Sequence, residues 1–224
     1  MLYKTANKFT IVFLLLVLAD TMGVLLALTP LHYIIKPLLM PSLMLVLWLN
    51  DADKKGKGLL LAGLFFSWMG DVFLLFETVN KLFFIAGLIS FLLTHVCYIT
   101  YFLSVRSSSP SLIIKQPLLA LAVPLYGFAL VWILYPSLGA LKMPVIIYAI
   151  IICTMLFCSL HIYLKVNTPS NRLFVGGAAL FVISDSLLAV NKFYRSLPLA
   201  PTLIMLTYCA AQFYIVAGFS RQKS

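Results

Sequence analysis

The chain has 224 residues, 63% of them hydrophobic and only 10% charged, with a mean hydropathy of +1.08. A soluble domain carries roughly 25% charged residues, so this chain has too little polar surface to cover a soluble globule. It reads as one polytopic membrane domain over residues 1–224. The net charge of +10 is not a nucleic-acid footprint, because the Lys and Arg residues lie in short loops between apolar stretches, where they set membrane orientation.

A spanning helix needs about 20 apolar residues. Pro, Gly and charge divide the chain into eight candidates, at approximately 9–28, 31–49, 58–76, 82–104, 117–135, 142–164, 172–191 and 199–219. The N-terminal stretch has the start of a signal peptide, but its apolar run continues to Leu28 without a small-x-small cleavage site. It is expected to be a retained first span. Spans one and two meet so tightly at Thr29-Pro30 that a re-entrant pair is the alternative there. The fold class expected is all-α: a membrane bundle of eight transmembrane helices.

Charge tests this division. Lys4, Lys8, Lys54, Lys55, Lys57, Arg106, Lys115, Lys165, Arg172, Arg221 and Lys223 fall on the side of the N-terminus. Lys81, Lys142, Lys192 and Arg195 fall on the other, and Lys36 lies inside a span. The positive-inside rule then puts both termini in the cytoplasm, and a bacterial inner membrane is the expected location. The cysteines Cys97, Cys153, Cys158 and Cys209 all sit in apolar stretches without a CxxC pair, as small core residues do.

Two carboxylates stand alone in apolar runs, Asp71 in LFFSWMGDVFLLF and Asp185 in LFVISDSLLAV. A charge at the bilayer centre costs about 2.5–3.5 kcal/mol on insertion scales, and intramembrane ionisable residues are functional by default. Each Asp lies thirteen residues into a span that starts on the cytoplasmic side, roughly 20 Å deep at the rise of a helix. They should share one layer. Asp20 and Lys36 fall near it, which suggests a polar cavity open to the non-cytoplasmic side. Spans three and seven are weakly alike, with Asp71 followed by Leu74-Leu75 and Asp185 by Leu187-Leu188. They are offset by four spans, as two parallel four-helix repeats require.

Two acidic groups at one depth suit general acid–base chemistry: like charges close together do not both ionise easily, so one can serve as acid and the other as base. Acid-labile ether and acetal bonds fit such a pair, by analogy with glycosidases. The bland alternative is a polar network that only fixes helix packing. Lys36 either holds a phosphate, balances Asp20 or snorkels to the interface. His95 either orients a carboxylate, binds a head group or is a packing residue, and His32 and His161 look interfacial. Tyr98, Tyr148, Tyr208 and Gln212 must find partners in the bundle, by lining a cavity or by bonding between helices. Asn191 and Lys192 either cap span seven or meet a head group. Asp51 and Asp53 read as a wet cytoplasmic loop, and no metal-ligand spacing occurs.

These motifs resemble those of the YhhN family of membrane proteins, whose characterised members are lysoplasmalogenases. The resemblance runs through Lys36-Pro37, Gly70-Asp71, Gly87-Leu88 with Phe91, His95 and Tyr98, then Tyr148, the Ser184-to-Ala189 stretch with Asn191-Lys192-Phe193, and Tyr208 with Gln212. It implies an eight-helix fold and hydrolysis of the vinyl ether of a lysoplasmalogen, with Asp71 and Asp185 as the family's two key aspartates. It implies a lysophospholipid substrate and no cofactor, and leaves the oligomeric state open. Three other readings compete. An intramembrane aspartyl protease uses two membrane aspartates, but Trp68 stands where its Gly-x-Gly-Asp motif needs Gly. A transporter would use the same carboxylates, although transporters often show inverted repeats with broken helices. The third is a non-catalytic lipid-binding or scaffold protein.

Overall fold

The structure, a computed structural model, describes residues 2–50, 55–105 and 109–222. Lys54, Arg106 and Lys223 of the charge pattern, with Asp51 and Asp53, lie outside the described residues. The fold is all-α. Its long helices are α1 (Leu2–Leu25), α2 (Thr29–Asn50), α3 (Lys57–Leu75) and α4 (Lys81–Ser104), a short α5 (Leu112–Lys115), then α6 (Pro117–Leu134), α7 (Lys142–Ile162), α8 (Thr168–Ala189) and α9 (Ala200–Arg221). Among the described residues eight helices are long and apolar enough to cross a membrane, at the eight expected places. The chain is therefore an integral multi-pass membrane protein.

Three local features depart from the expected division, the first two for a chemical reason. Span seven starts earlier, at Thr168, because Pro169 occupies the first turn of α8, where its fixed φ suits a helix and its missing N–H is no loss. The polar stretch after span four contains α5, opened by Ser111, whose side chain accepts from the Ile113 N–H at 3.2 Å, as an N-cap does. Helix α8 runs on into a π-helical turn at Val190–Tyr194.

Helices α1 and α2 are two separate helices of 24 and 22 residues. Their joint is a Schellman-type turn: Leu28 N–H bonds to the Gly23 carbonyl at 2.8 Å and Ala27 N–H to Val24 at 3.2 Å. Such a turn needs one left-handed residue, normally Gly, and here it is Ala27 at φ 54°.

The chain packs as two compact units, residues 1–101 and 102–223. In the first, α3 buries Leu60, Leu64, Ser67, Gly70, Asp71 and Leu75, a stripe at helical spacing. Glycines let α4 approach it: a Cβ at Gly70 would meet the Phe91 ring at 2.7 Å, and one at Gly87 would meet Leu74 at 3.0 Å. This is the small-residue packing expected where lipid supplies no hydrophobic drive. Helices α2 and α3 are tied by hydrogen bonds. Pro41 has no N–H for the carbonyl of Pro37, and the Trp68 indole donates to that carbonyl at 3.0 Å. The Tyr33 hydroxyl donates to the Leu75 carbonyl at 2.8 Å, at the end of α3.

In the second unit α8 and α9 meet through Gly177, where a Cβ would come within 2.9 Å of the Ala211 carbonyl oxygen. Phe181 and Tyr208 pack edge to face between the same helices, ring centres 5.6 Å apart. A small apolar cluster of Leu134, Leu138 and Val145, with Leu141, Val190 and Phe193 against it, closes the end of this unit at the α6–α7 connection.

Candidate active site

The buried stripe of α8 runs through Phe174, Ala178, Phe181 and Val182. Asp185 follows one turn after Phe181, so it faces the same way, and it is half-buried. Its Oδ2 accepts a hydrogen bond from the hydroxyl of Tyr148, a buried residue of α7. Next to it, the Tyr126 hydroxyl of α6 donates to Ser186 Oγ at 2.8 Å, and Ser186 itself donates to the Val182 carbonyl at 2.6 Å.

These groups border a cavity of about 40 Å³ whose other walls include Leu130, Val145, Ile152 and Val182. A water needs only about 10–15 Å³ measured this way and two to four polar partners. Asp185, Tyr148 and Ser186 provide such partners. The second unit therefore offers a carboxylate with one oxygen oriented by a phenol, beside a water-sized space in an apolar wall.

The π-helical turn that ends α8 holds Asn191 and Lys192. Asn191 Oδ1 accepts from the Leu197 N–H at 3.0 Å, so it braces the return of the chain toward α9. Lys192 is exposed. Tyr208 and Gln212 are both buried on α9.

In the first unit Asp71 is buried on α3, one turn beyond Ser67. Ser67 Oγ lies 3.0 Å from Thr94 Oγ1, which donates to the Gly63 carbonyl at 3.0 Å. His95 and Tyr98 are buried on α4. Asp71 thus belongs to the first unit and Asp185 to the second.

Asp20 is only 1% exposed, and its Oδ1 lies 2.8 Å from His32 Nδ1. Its Oδ2 has no hydrogen-bond partner among the described residues. The partner of Asp20 is therefore His32, which the sequence reading left at the interface, and not Lys36. Lys36 follows His32 by one turn of α2, is 9% exposed, and makes no hydrogen bond or ion pair among the described residues.

The YhhN family matches residues 31–219. The chain belongs to the YhhN family. Among curated proteins it is 34% identical over 161 residues to a Bos taurus protein named lysoplasmalogenase TMEM86A, covering 68% of this chain and 61% of that protein. It is 32% identical over 184 residues to lysoplasmalogenase TMEM86B of Sus scrofa, covering 81% and 73%. A Mycobacterium bovis protein named lysoplasmalogenase is 33% identical over 139 residues, covering 61% and 51%. The chain spans about three fifths of the length of the first of these relatives. No solved structure matches it significantly.

For this YhhN chain, two contacts went unread in the sequence although a signal for them exists. Asp20 and His32 lie five and three residues from the helix ends that flank the turn after Leu25, and Tyr148 and Asp185 fourteen and seventeen from the ends at Ile162 and Thr168. In an antiparallel helix pair with a short connection, residues at equal distance from the turn lie at equal height. Counting outward from each turn would have brought each pair within one helical turn of the same height.

Proposed function

We propose that this YhhN protein is a membrane-embedded ether hydrolase of the lysoplasmalogenase type. Its substrate class is the 1-alkenyl lysophospholipid, and its products are a fatty aldehyde and glycerophosphoethanolamine or glycerophosphocholine. The observation that carries the reading is the Asp185–Tyr148 pair beside a water-sized cavity, in a chain whose relatives bear the lysoplasmalogenase name.

The chemistry needs one acid and one base, and Asp71 and Asp185 are proposed for these roles. The protonated carboxyl gives its proton to the alkenyl carbon remote from oxygen, and an oxocarbenium ion forms. The ionised carboxylate takes a proton from water as the water oxygen bonds to the cationic carbon. The hemiacetal then collapses to aldehyde and the glycerol hydroxyl, with one water consumed overall. Positioned acid–base groups of this kind contribute about 10²–10⁴-fold each.

Lys36 is proposed to meet the substrate phosphate. A buried ammonium without a counter-charge is costly, and a phosphate oxygen is a fitting partner for a Lys point charge. His95, Tyr98, Asn191, Lys192, Tyr208 and Gln212 complete the proposed surroundings, and Asp20 acts through His32. Both termini are proposed to face the cytoplasm of a bacterial inner membrane. A maleimide reagent should then reach Lys55→Cys from the cytoplasmic side only.

The deciding experiment is purified protein in detergent with lysoplasmalogen, with aldehyde release followed. Turnover by the parent protein, lost in Asp71→Asn and in Asp185→Asn while both variants stay folded, supports the assignment. Full activity in either variant removes that carboxylate from the reaction, and absence of turnover in the parent overturns the substrate class.

A further inference from the structure

Between α6 and α7 runs a cleft of about 450 Å³ that no part of the reaction described so far uses. Its volume is in the range of ligand sites, about 300–1,000 Å³. Its walls are almost wholly hydrocarbon. The hydroxyl of Thr154, a polar group in them, is already committed to the Ile150 carbonyl at 2.7 Å. No wall group calls for a charged or hydrogen-bonding ligand. The chemistry that fits is an unbranched hydrocarbon chain.

The cleft and the Asp185 cavity share four wall residues, Gly127, Val131, Ala149 and Cys153. Three of these are small. At Gly127 a Cβ would come within 2.7 Å of Cys153 Sγ, so the two helices touch there with no side chain to spare. The cleft is thus separated from the cavity at Asp185 by the thinnest layer the two helices can make. At the α6–α7 connection Leu134, Leu138 and Val145 form a buried apolar cluster, two of whose members, Leu134 and Val145, wall the Asp185 cavity. The outer side is open, rimmed by Phe128 and Ile150, 65% and 59% exposed.

The cleft also has a direction. On α7 it extends from Ile146 to Phe157, about 16 Å at the rise of a helix. Tyr148, the partner of Asp185, sits near the Ile146 end. A chain with its first carbons near Asp185 would run toward Phe157, away from the end of the unit that carries Lys142 and Lys192. An amphiphile has this order: polar group toward the basic end, tail toward the apolar interior.

We infer that the α6–α7 cleft seats the alkenyl chain of the substrate, entering from the lipid side, and that its length sets chain preference. The inference rests on the reading of Asp185 as part of an ether-hydrolase site. It differs from that reading in what it predicts, because chain binding does not need turnover.

Two measurements test it. In a variant keeping Cys153 as its only cysteine, alkylation by N-ethylmaleimide is timed with and without a saturated 1-alkyl ether lysophospholipid, which cannot be cleaved as a vinyl ether. Slowing that is stronger for a long alkyl chain than for a short one is the expected result. Equal slowing by long chains, short chains and ordinary diacyl phospholipid would make the cleft a seat for bulk lipid and overturn the inference. The second measurement uses Thr154→Phe, which fills the cleft from an exposed position and leaves the buried core in place. The ratio of kcat/KM for long-chain over short-chain lysoplasmalogen should fall about tenfold or more, whereas Leu118→Phe, outside the cleft and 81% exposed, should keep the parent ratio. An unchanged ratio in Thr154→Phe, with turnover intact, overturns the inference and leaves the hydrolase reading standing. Chain-dependent protection of Cys153 without any vinyl-ether turnover does the reverse.

Discussion

The hydroxyl of Tyr148 on α7 donates to Oδ2 of Asp185 on α8, thirty-seven residues further along the chain. The contact fixes the orientation of a half-buried carboxylate in a wall that is otherwise mostly apolar. A carboxylate free to rotate would offer its lone pairs to a water in many directions, and this one has an oxygen held.

Tyr148→Phe removes that donor and changes little else in shape. Losing a partner of a buried polar group costs about 1–3 kcal/mol, so kcat for vinyl ether hydrolysis should fall about 10- to 100-fold. Aldehyde release by the folded variant measures this. Unchanged kcat would assign the contact to packing.

Lys36→Ala should raise KM for a phosphorylated lysolipid more than it lowers kcat. Removing binding that is equal in ground and transition states has this signature. Steady-state kinetics against substrate concentration decide it, and an unchanged KM would return Lys36 to a packing role.

His32→Ala leaves the Asp20 carboxylate, 1% exposed, without the 2.8 Å contact of its Oδ1, when Oδ2 already has none. Leaving a buried polar group unsatisfied costs about 1–3 kcal/mol, and more for a charged one. The double variant Asp20→Ala/His32→Ala should regain a large part of that loss, because no buried acid is left. Thermal unfolding of the three proteins in one detergent tests the coupling. Additive losses would show that the two residues act apart.

Ala27→Gly should stabilise the protein. Ala27 is held at φ 54° in the turn between α1 and α2, where an L-residue pays about 1–2 kcal/mol and Gly does not, so a rise in melting temperature is expected. A lower melting temperature would mean that the extra freedom of Gly in the unfolded chain outweighs the relieved strain.

The eight spans were legible because each is a long apolar run ended by Pro, Gly or charge, and lipid demands that such a run satisfy its backbone as helix. The solitary Asp71 and Asp185 were legible for the same reason, since a carboxylate inside an apolar run needs no alignment to stand out. The π-helical turn at Val190–Tyr194 was not. Its residues have no composition of their own, and one extra residue per turn is a matter of how the end of α8 packs. Trp68 donating to Pro37 was hidden too, although Pro41 announces a carbonyl in need of a donor.

By itself the amino-acid order determined that this protein lives in lipid, where its helices run, and which acids cannot be casual, because burial cost depends on side-chain type and apolar run length alone. Tertiary structure decided which neighbours two of these acids meet, His32 for Asp20 and Tyr148 for Asp185, with an apolar cleft one small residue away from the latter. Those choices depend on helix rotation and approach within a few ångströms; Gly23, for one, has no side chain to hold α1 away from Leu31 of α2, and Gly127 none to hold α6 away from Cys153 of α7.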